Sequence, residues 1–279
     1  MCPDVSIAEP EITKSVNLKH AFINNDEELE IFLNNPEYRN SVEYIRIYIS
    51  KCDWLKKYSF PALTHIGFYD CKLQNILKIL PFLKAPSLNR LGLVGQTFKG
   101  PYPEKDITMP KVTDLYINGP IEDLELFSVL KFPTLDSLSI GRHSAVKSFK
   151  GIEHIAPTLR SLEVVRIDFE NFEGHGLEAT FPLLNAIALQ TVKNLDFLKI
   201  FKGFNAPQLE TLDLSGYDLG NSNVFEGLSQ MQAPNLKTVI LSFSPPLLMD
   251  NVRRNSARGL SMSLMEHFGP SVNVETDLD

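Results

Sequence analysis

From about residue 40 to 245 the chain repeats one arrangement of apolar positions. Pro61, Pro86, Pro110, Pro133, Pro157, Pro182, Pro207 and Pro234 recur at spacings of 23 to 27 residues. Apolar residues follow each proline at offsets two, five and seven, as Leu135, Leu138 and Ile140 follow Pro133 in "FPTLDSLSIG". All 24 of these positions hold Leu, Ile, Val or Phe, which chance does not produce. "SVEYIRIYIS" sets Val42, Ile45 and Ile47 on the same template without its proline, so nine units are present.

Apolar residues at offsets five and seven have the period of a strand with one face buried. A strand this short cannot bury that face alone, so copies must stack in parallel and share one continuous core. The proline suits the start of the strand, where its fixed φ and missing N–H cost no ladder hydrogen bond. It also biases the preceding residue away from helix, which ends the segment returning from the previous strand. Return segments such as "LQNILKILPFLKA" (Leu73, Ile76, Leu77, Leu80), "IEDLELFSVLKF" (Leu124, Phe127, Leu130) and "VKNLDFLKIFKGFNA" (Leu195, Leu198, Ile200, Phe201) carry helical spacing. "FENFEGHGLEATF" does not.

An L-x-x-L-x-L pattern at this period resembles the leucine-rich repeat family over roughly three quarters of the chain. The resemblance implies an α/β solenoid with a curved parallel β-sheet on the concave side and short helices and turns on the convex side. Many members carry Asn or Cys three residues after the third apolar position. Here that column reads Cys71, Gln96, Pro120, His143, Ile167, Val192, Tyr217 and Ser244, so the polar ladder is irregular and the turn after each strand should vary. Cys71 reads as a structural survivor of that column. Such arrays often recognise substrates within larger assemblies, F-box-type ubiquitin ligases among them, but the first 40 residues hold no segment readable as an F-box.

Three segments follow. Residues 1–39 form an N-terminal segment and capping helix, 40–245 the repeat array, and 246–279 a C-terminal capping helix and tail. In "NNDEELEIFLNNPEY", Asn25 or Asp26 is the N-cap and Leu29, Ile31, Phe32 and Leu33 form the apolar side. "HAFIN" ahead of it suits a short strand. After Pro246, Leu248, Val252, Leu260, Leu264 and Phe268 face the last repeat, while Arg253, Arg254 and Arg258 form a solvated face. Residues 1 to 17 and the tail "VETDLD" are expected to lack order.

Composition narrows the function. The 279 residues carry a net charge of −7, which argues against nucleic-acid binding because phosphate neutralisation needs excess Lys and Arg. No apolar run approaches the roughly 20 residues that span a bilayer, so no membrane partner is expected. Three cysteines, Cys2, Cys52 and Cys71, are too few for a disulfide framework and predict a reducing, cytoplasmic setting. No phosphate-cradling glycine loop, nucleophile elbow or paired-histidine metal motif occurs, which predicts a non-enzyme with no cofactor and no metal. His175 in "EGHGLE" belongs to an exposed turn.

The remaining candidate is the concave face, where residues between the apolar positions align across units. Offset four reads Tyr44, His65, Arg90, Asp114, then mostly small and polar residues. Offset six begins Arg46, Gly67, Gly92, Tyr116, Ser139, Glu163, and offset eight begins Tyr48, Tyr69, Val94, Asn118. Offset nine adds Arg142 and Arg166. Tyr and Arg combine large contact area with hydrogen-bonding ends, the combination enriched at binding hot spots. The expected partner-binding set is therefore Tyr48, Tyr69, Arg90, Asp114, Tyr116, Arg142, Glu163 and Arg166. The function this predicts is a non-catalytic scaffold for a protein or peptide of unspecified identity. Two alternatives stand beside it: an enzyme whose site is built from loops, and an inhibitor whose acidic exterior occludes a basic partner.

Overall fold

The computed structural model describes residues 19–141, 145–216, 224–242 and 251–276. Nine strands start at offset four of their units: β2 (Tyr44–Ile47), β3 (His65–Tyr69), β4 (Arg90–Val94), β6 (Asp114–Asn118), β8 (Ser137–Gly141), β9 (Ser161–Val165), β10 (Ala186–Gln190), β11 (Thr211–Asp213) and β12 (Thr238–Leu241). With β1 (His20–Ile23) and β13 (Asn273–Thr276) at its ends, they form one curved, 11-stranded parallel sheet in chain order. Two short strands, β5 (Ile107–Thr108) and β7 (Leu130–Lys131), pair separately among the return segments. This is a leucine-rich-repeat solenoid.

Equal offsets pair with equal offsets. His65 sits opposite Arg90, Arg90 opposite Asp114 and Asp114 opposite Ser137, with no slip between units. A one-residue slip would turn every buried side chain outward, so the apolar template enforces this register. None of the 24 template positions is more than 4 % exposed.

The prolines sit earlier than the strand start. In seven units the residue before the proline accepts a hydrogen bond from the N–H two residues after it, as Phe60 O does from Leu63 N (3.2 Å) and Ala206 O from Leu209 N (3.1 Å). Each proline thus holds the second position of a β-turn, where its φ is already correct. The Pro157 unit departs, with Thr158 N bonding Ile155 O (3.2 Å).

Return segments fold as short helical turns. α3 (Leu73–Ile79) and α4 (Phe197–Ile200) carry the predicted helical spacing, whereas Glu125–Ser128 and Ile152–His154 are 3-10 turns. Leu73, Ile76, Leu77 and Leu80 are buried, and Phe197, Phe201 and Phe204 pack ring against ring behind the later strands.

At the N-terminal end, β1 extends the sheet, and α1 (Asp26–Asn34) is capped by the Asn25 side chain, which accepts from Glu28 N at 2.8 Å. Phe32 of α1 is buried, but Ile31, expected inside, is 64 % exposed because it lies on the outer face of the helix. α2 (Pro36–Ser41) follows, capped by Asn35. At the other end, α5 (Val224–Leu228) precedes β12, and α6 (Asn251–Phe268) packs Leu264 into the core with Leu260 and Phe268 against it. Leu248 and the side chains of Val252, Arg253, Arg254 and Arg258 lie outside the described residues. The tail corrects an expectation: Asn273–Thr276 is ordered as β13, paired along β12, because Val272 is buried and carries the chain back onto the sheet. Residues 1–17 lie outside the described part.

Candidate functional site

Parallel, in-register pairing turns each offset into a row of side chains on the solvent side of the sheet. Across the first units the offset-six row runs Phe22, Arg46, Gly67, Gly92, Tyr116. The two glycines bring the floor down to backbone level: a Cβ on Gly92 would lie 3.4 Å from Gly67 Cα. The Tyr69 ring leans over Gly67, where an added Cβ would meet its Cε2 at 2.9 Å. Tyr116 leans the other way, over Gly141, with its Cε2 3.0 Å from the equivalent point. The result is a depression of about 330 Å³ centred on Gly67 and Gly92. Tyr44, His65 and Tyr69 border one side, and Arg90, Asp114 and Tyr116 the other.

The borders are organised by polar contacts. Arg90 Nε lies 3.7 Å from Asp114 Oδ2, which also accepts from Thr113 Oγ1 (2.7 Å). Tyr116 Oη accepts from Asn118 Nδ2 (3.2 Å). Thr64 Oγ1 and His65 Nδ1 are 3.0 Å apart, and burial, with Arg90 nearby, holds the imidazole below its usual pKa. Burial pushes the Tyr69 phenol up to about 12.

Beside the depression stands an aromatic group around one cation. The Arg46 guanidinium lies 5.1 Å from the Tyr44 ring centre, 5.5 Å from Phe22 and 5.7 Å from Tyr69. Its Nε donates to Tyr44 Oη, and that bond raises its already high pKa. Tyr48 stacks on Tyr69, and Tyr44 packs against His20 and His65.

The predicted site residues separate into groups. Tyr69, Arg90, Asp114 and Tyr116 meet at the depression, with Tyr48 behind Tyr69. Glu163 is on the same row two strands beyond Tyr116, where it accepts from Ser139 Oγ at 2.7 Å. Arg166 is not on a strand. It has φ 55° at the turn leaving β9, and it is exposed. Arg142 lies outside the described residues. The expected set omitted Arg46, Tyr44, His65 and Phe22. The offset-four and offset-six rows already held the first three, whereas Phe22 lies on a strand that lacks the repeat template.

Offset nine is a turn position. Asp70, Gly95, Arg166, Thr191 and Gly216 all have positive φ there, between 53° and 81°. In the column one residue further on, two polar members behave as a partial ladder. Cys71 Sγ lies 3.1 Å from Ile49 O, and Gln96 Nε2 donates to Phe68 O (3.1 Å) and Val94 O (2.6 Å). Ile167 and Val192 in the same column are buried instead. Cys71 also meets Cys52 at 3.7 Å, a pair of buried free thiols that the 19-residue spacing did not reveal. His175 is an exposed residue on a return segment, 3.8 Å from Glu178.

Among the described residues no group of His, Cys, Asp and Glu could hold a metal ion. No helix among them is long and apolar enough to cross a membrane. Comparison with protein-family models, with curated proteins and with solved structures returns no match. The fold type is consistent with a protein-interaction scaffold.

Proposed function

We propose that the chain is a non-catalytic scaffold that holds a protein or peptide against the concave face of its first six units. The observation that carries this reading is the depression over Gly67 and Gly92, bordered by half-buried tyrosines. Tyr48 is 37 % exposed and Phe22 49 % exposed, so aromatic surface faces solvent beside the depression rather than packing into the core. Large aromatic and arginine side chains around a recess are the surface that anchors a partner's side chain, because they release much water on contact and still offer hydrogen bonds. The curvature of a stacked sheet presents them as one extended surface.

The test is a pull-down from native lysate with wild-type chain beside a folded Tyr69→Ala/Tyr116→Ala variant, read by mass spectrometry. A protein retained by the first and lost by the second supports the concave site. Equal retention by both moves binding to another surface and rejects it.

A further inference from the structure

Arg46 is a charged group on the concave face, set among aromatic rings. Among the described residues, no carboxylate lies within ion-pair distance of it, whereas Arg90 and Arg160 in later units each have one. The first carboxylate along its row is Glu163, five strands away, or about 24 Å at ~4.8 Å per strand. Glu163 is itself bonded to Ser139. Three aromatic rings hold the guanidinium in place, so little side-chain entropy remains to be lost when it binds.

Immediately beside this cation the row drops to Gly67 and then Gly92. The middle of the glycine floor is about one and a half strands from Arg46, roughly 7 Å. Two residues of an extended peptide rise about 6.6 Å and point their side chains the same way. A strand-like segment crossing the sheet would therefore meet the cation with one side chain and the recess with the next on that face. The net charge of −7 repels polyanions such as nucleic acid or an anionic membrane at long range, but it tolerates a single carboxylate brought to a local cation.

Resting on the scaffold reading above, we infer that the partner is an extended protein segment with an Asp or Glu two residues from an aromatic or large aliphatic residue. The carboxylate pairs with Arg46, and the apolar side chain covers Gly67 and Gly92 between Tyr69 and Tyr116. Arginine suits this role because its planar fork can bond both carboxylate oxygens while its face stays on the rings.

The probe is a phage-displayed library of random dodecapeptides, panned on the full chain, with enriched sequences resynthesised for calorimetric titration. Enriched peptides should share the acid and the large apolar residue at a spacing of two. Arg46→Ala should weaken them roughly tenfold or more, and Arg46→Glu panned afresh should select Lys or Arg at that position. Gly92→Leu, which fills the recess and leaves Arg46 untouched, should abolish binding, and melting curves establish that each variant is folded. Peptides lost by Gly92→Leu but indifferent to Arg46→Ala overturn this inference and leave the concave site standing. Peptides that bind Gly92→Leu like wild type overturn both. Failure to enrich any sequence overturns the inference, as does Arg46-dependent retention of phosphatidylserine vesicles, which would assign the cation to lipid.

Discussion

Tyr48 and Tyr69 stack with their ring centres 4.5 Å apart and their planes inclined by 23°. They hold the same offset in adjacent units, so the spacing between paired strands brings one ring over the other. Burial is the first cause of the high Tyr69 pKa, and the neighbouring Tyr44 phenol adds to it. The folded state therefore keeps the Tyr69 proton longer than the unfolded chain does. Its contribution to stability is fully present below the ordinary value of 10.0 and is lost as pH rises from there toward about 12. Denaturant titrations should show a shallower loss of stability over that window in Tyr69→Phe than in wild type, and an ultraviolet phenolate titration should lose one late step. Identical slopes would mean the ring is solvated.

Gly67 and Gly92 predict opposite responses to an added methyl. A Cβ on Gly92 meets nothing closer than 3.4 Å and no positive φ is involved, so Gly92→Ala should leave stability within about 0.5 kcal/mol of wild type. A Cβ on Gly67 lies 2.9 Å from Tyr69 Cε2, so the ring must swing away. Gly67→Ala should disturb the Tyr69 and Tyr48 ring resonances in proton NMR, and Gly92→Ala should leave them in place. Equal disturbance by both would contradict the packing described for Tyr69.

The repeat template made the array legible because each of its positions answers a single physical demand. Leu63, Ile66 and Phe68 must all be buried for one strand to stack on the next, and the same holds in every unit. What escaped the sequence reading was set by contacts between units. Arg166 reads as a concave residue because its column lies just beyond the strand's apolar positions, yet the chain has already turned there into positive φ. The glycines and Asp70 in that column were the available signal. Phe22 and β13 escaped because end strands need only one neighbour and keep no full template. Cys52 met Cys71 only through the loop after β2, which no spacing encodes.

The positive φ of Arg166 and Thr191 is a place to gain stability. Residues with a Cβ adopt this conformation at a cost of about 1 kcal/mol or more, and a β-branched residue such as Thr191 finds it harder still. Other units place Gly95 and Gly216 at the same position. Arg166→Gly should therefore raise stability, by roughly 0.5 to 1 kcal/mol after the added freedom of the unfolded chain is set against the relieved strain. Thermal melts check this directly, and a lower melting temperature would show that the Arg166 side chain holds the turn. Peptides bound over Gly67 and Gly92 should be unaffected, since Arg166 follows β9 and does not line the depression.

Gln96 separates hydrogen bonding from packing. It is 2 % exposed, its Nε2 donates to the Phe68 and Val94 carbonyls, and its buried Oε1 has no partner among the described residues. The same column holds buried Ile167 and Val192 in later units, so an apolar side chain can fill it. Gln96→Leu loses two hydrogen bonds but also removes a buried acceptor that has none, and these effects oppose each other. Gln96→Ala loses the same bonds and leaves a cavity as well. We expect Gln96→Leu to cost about 1 kcal/mol and Gln96→Ala about 2 to 4 kcal/mol in urea unfolding. Equal losses would mean that the two amide donors, rather than the filled volume, hold the turns after β3 and β4 together. In that event, the apolar residues of the later units must be compensated by contacts of their own.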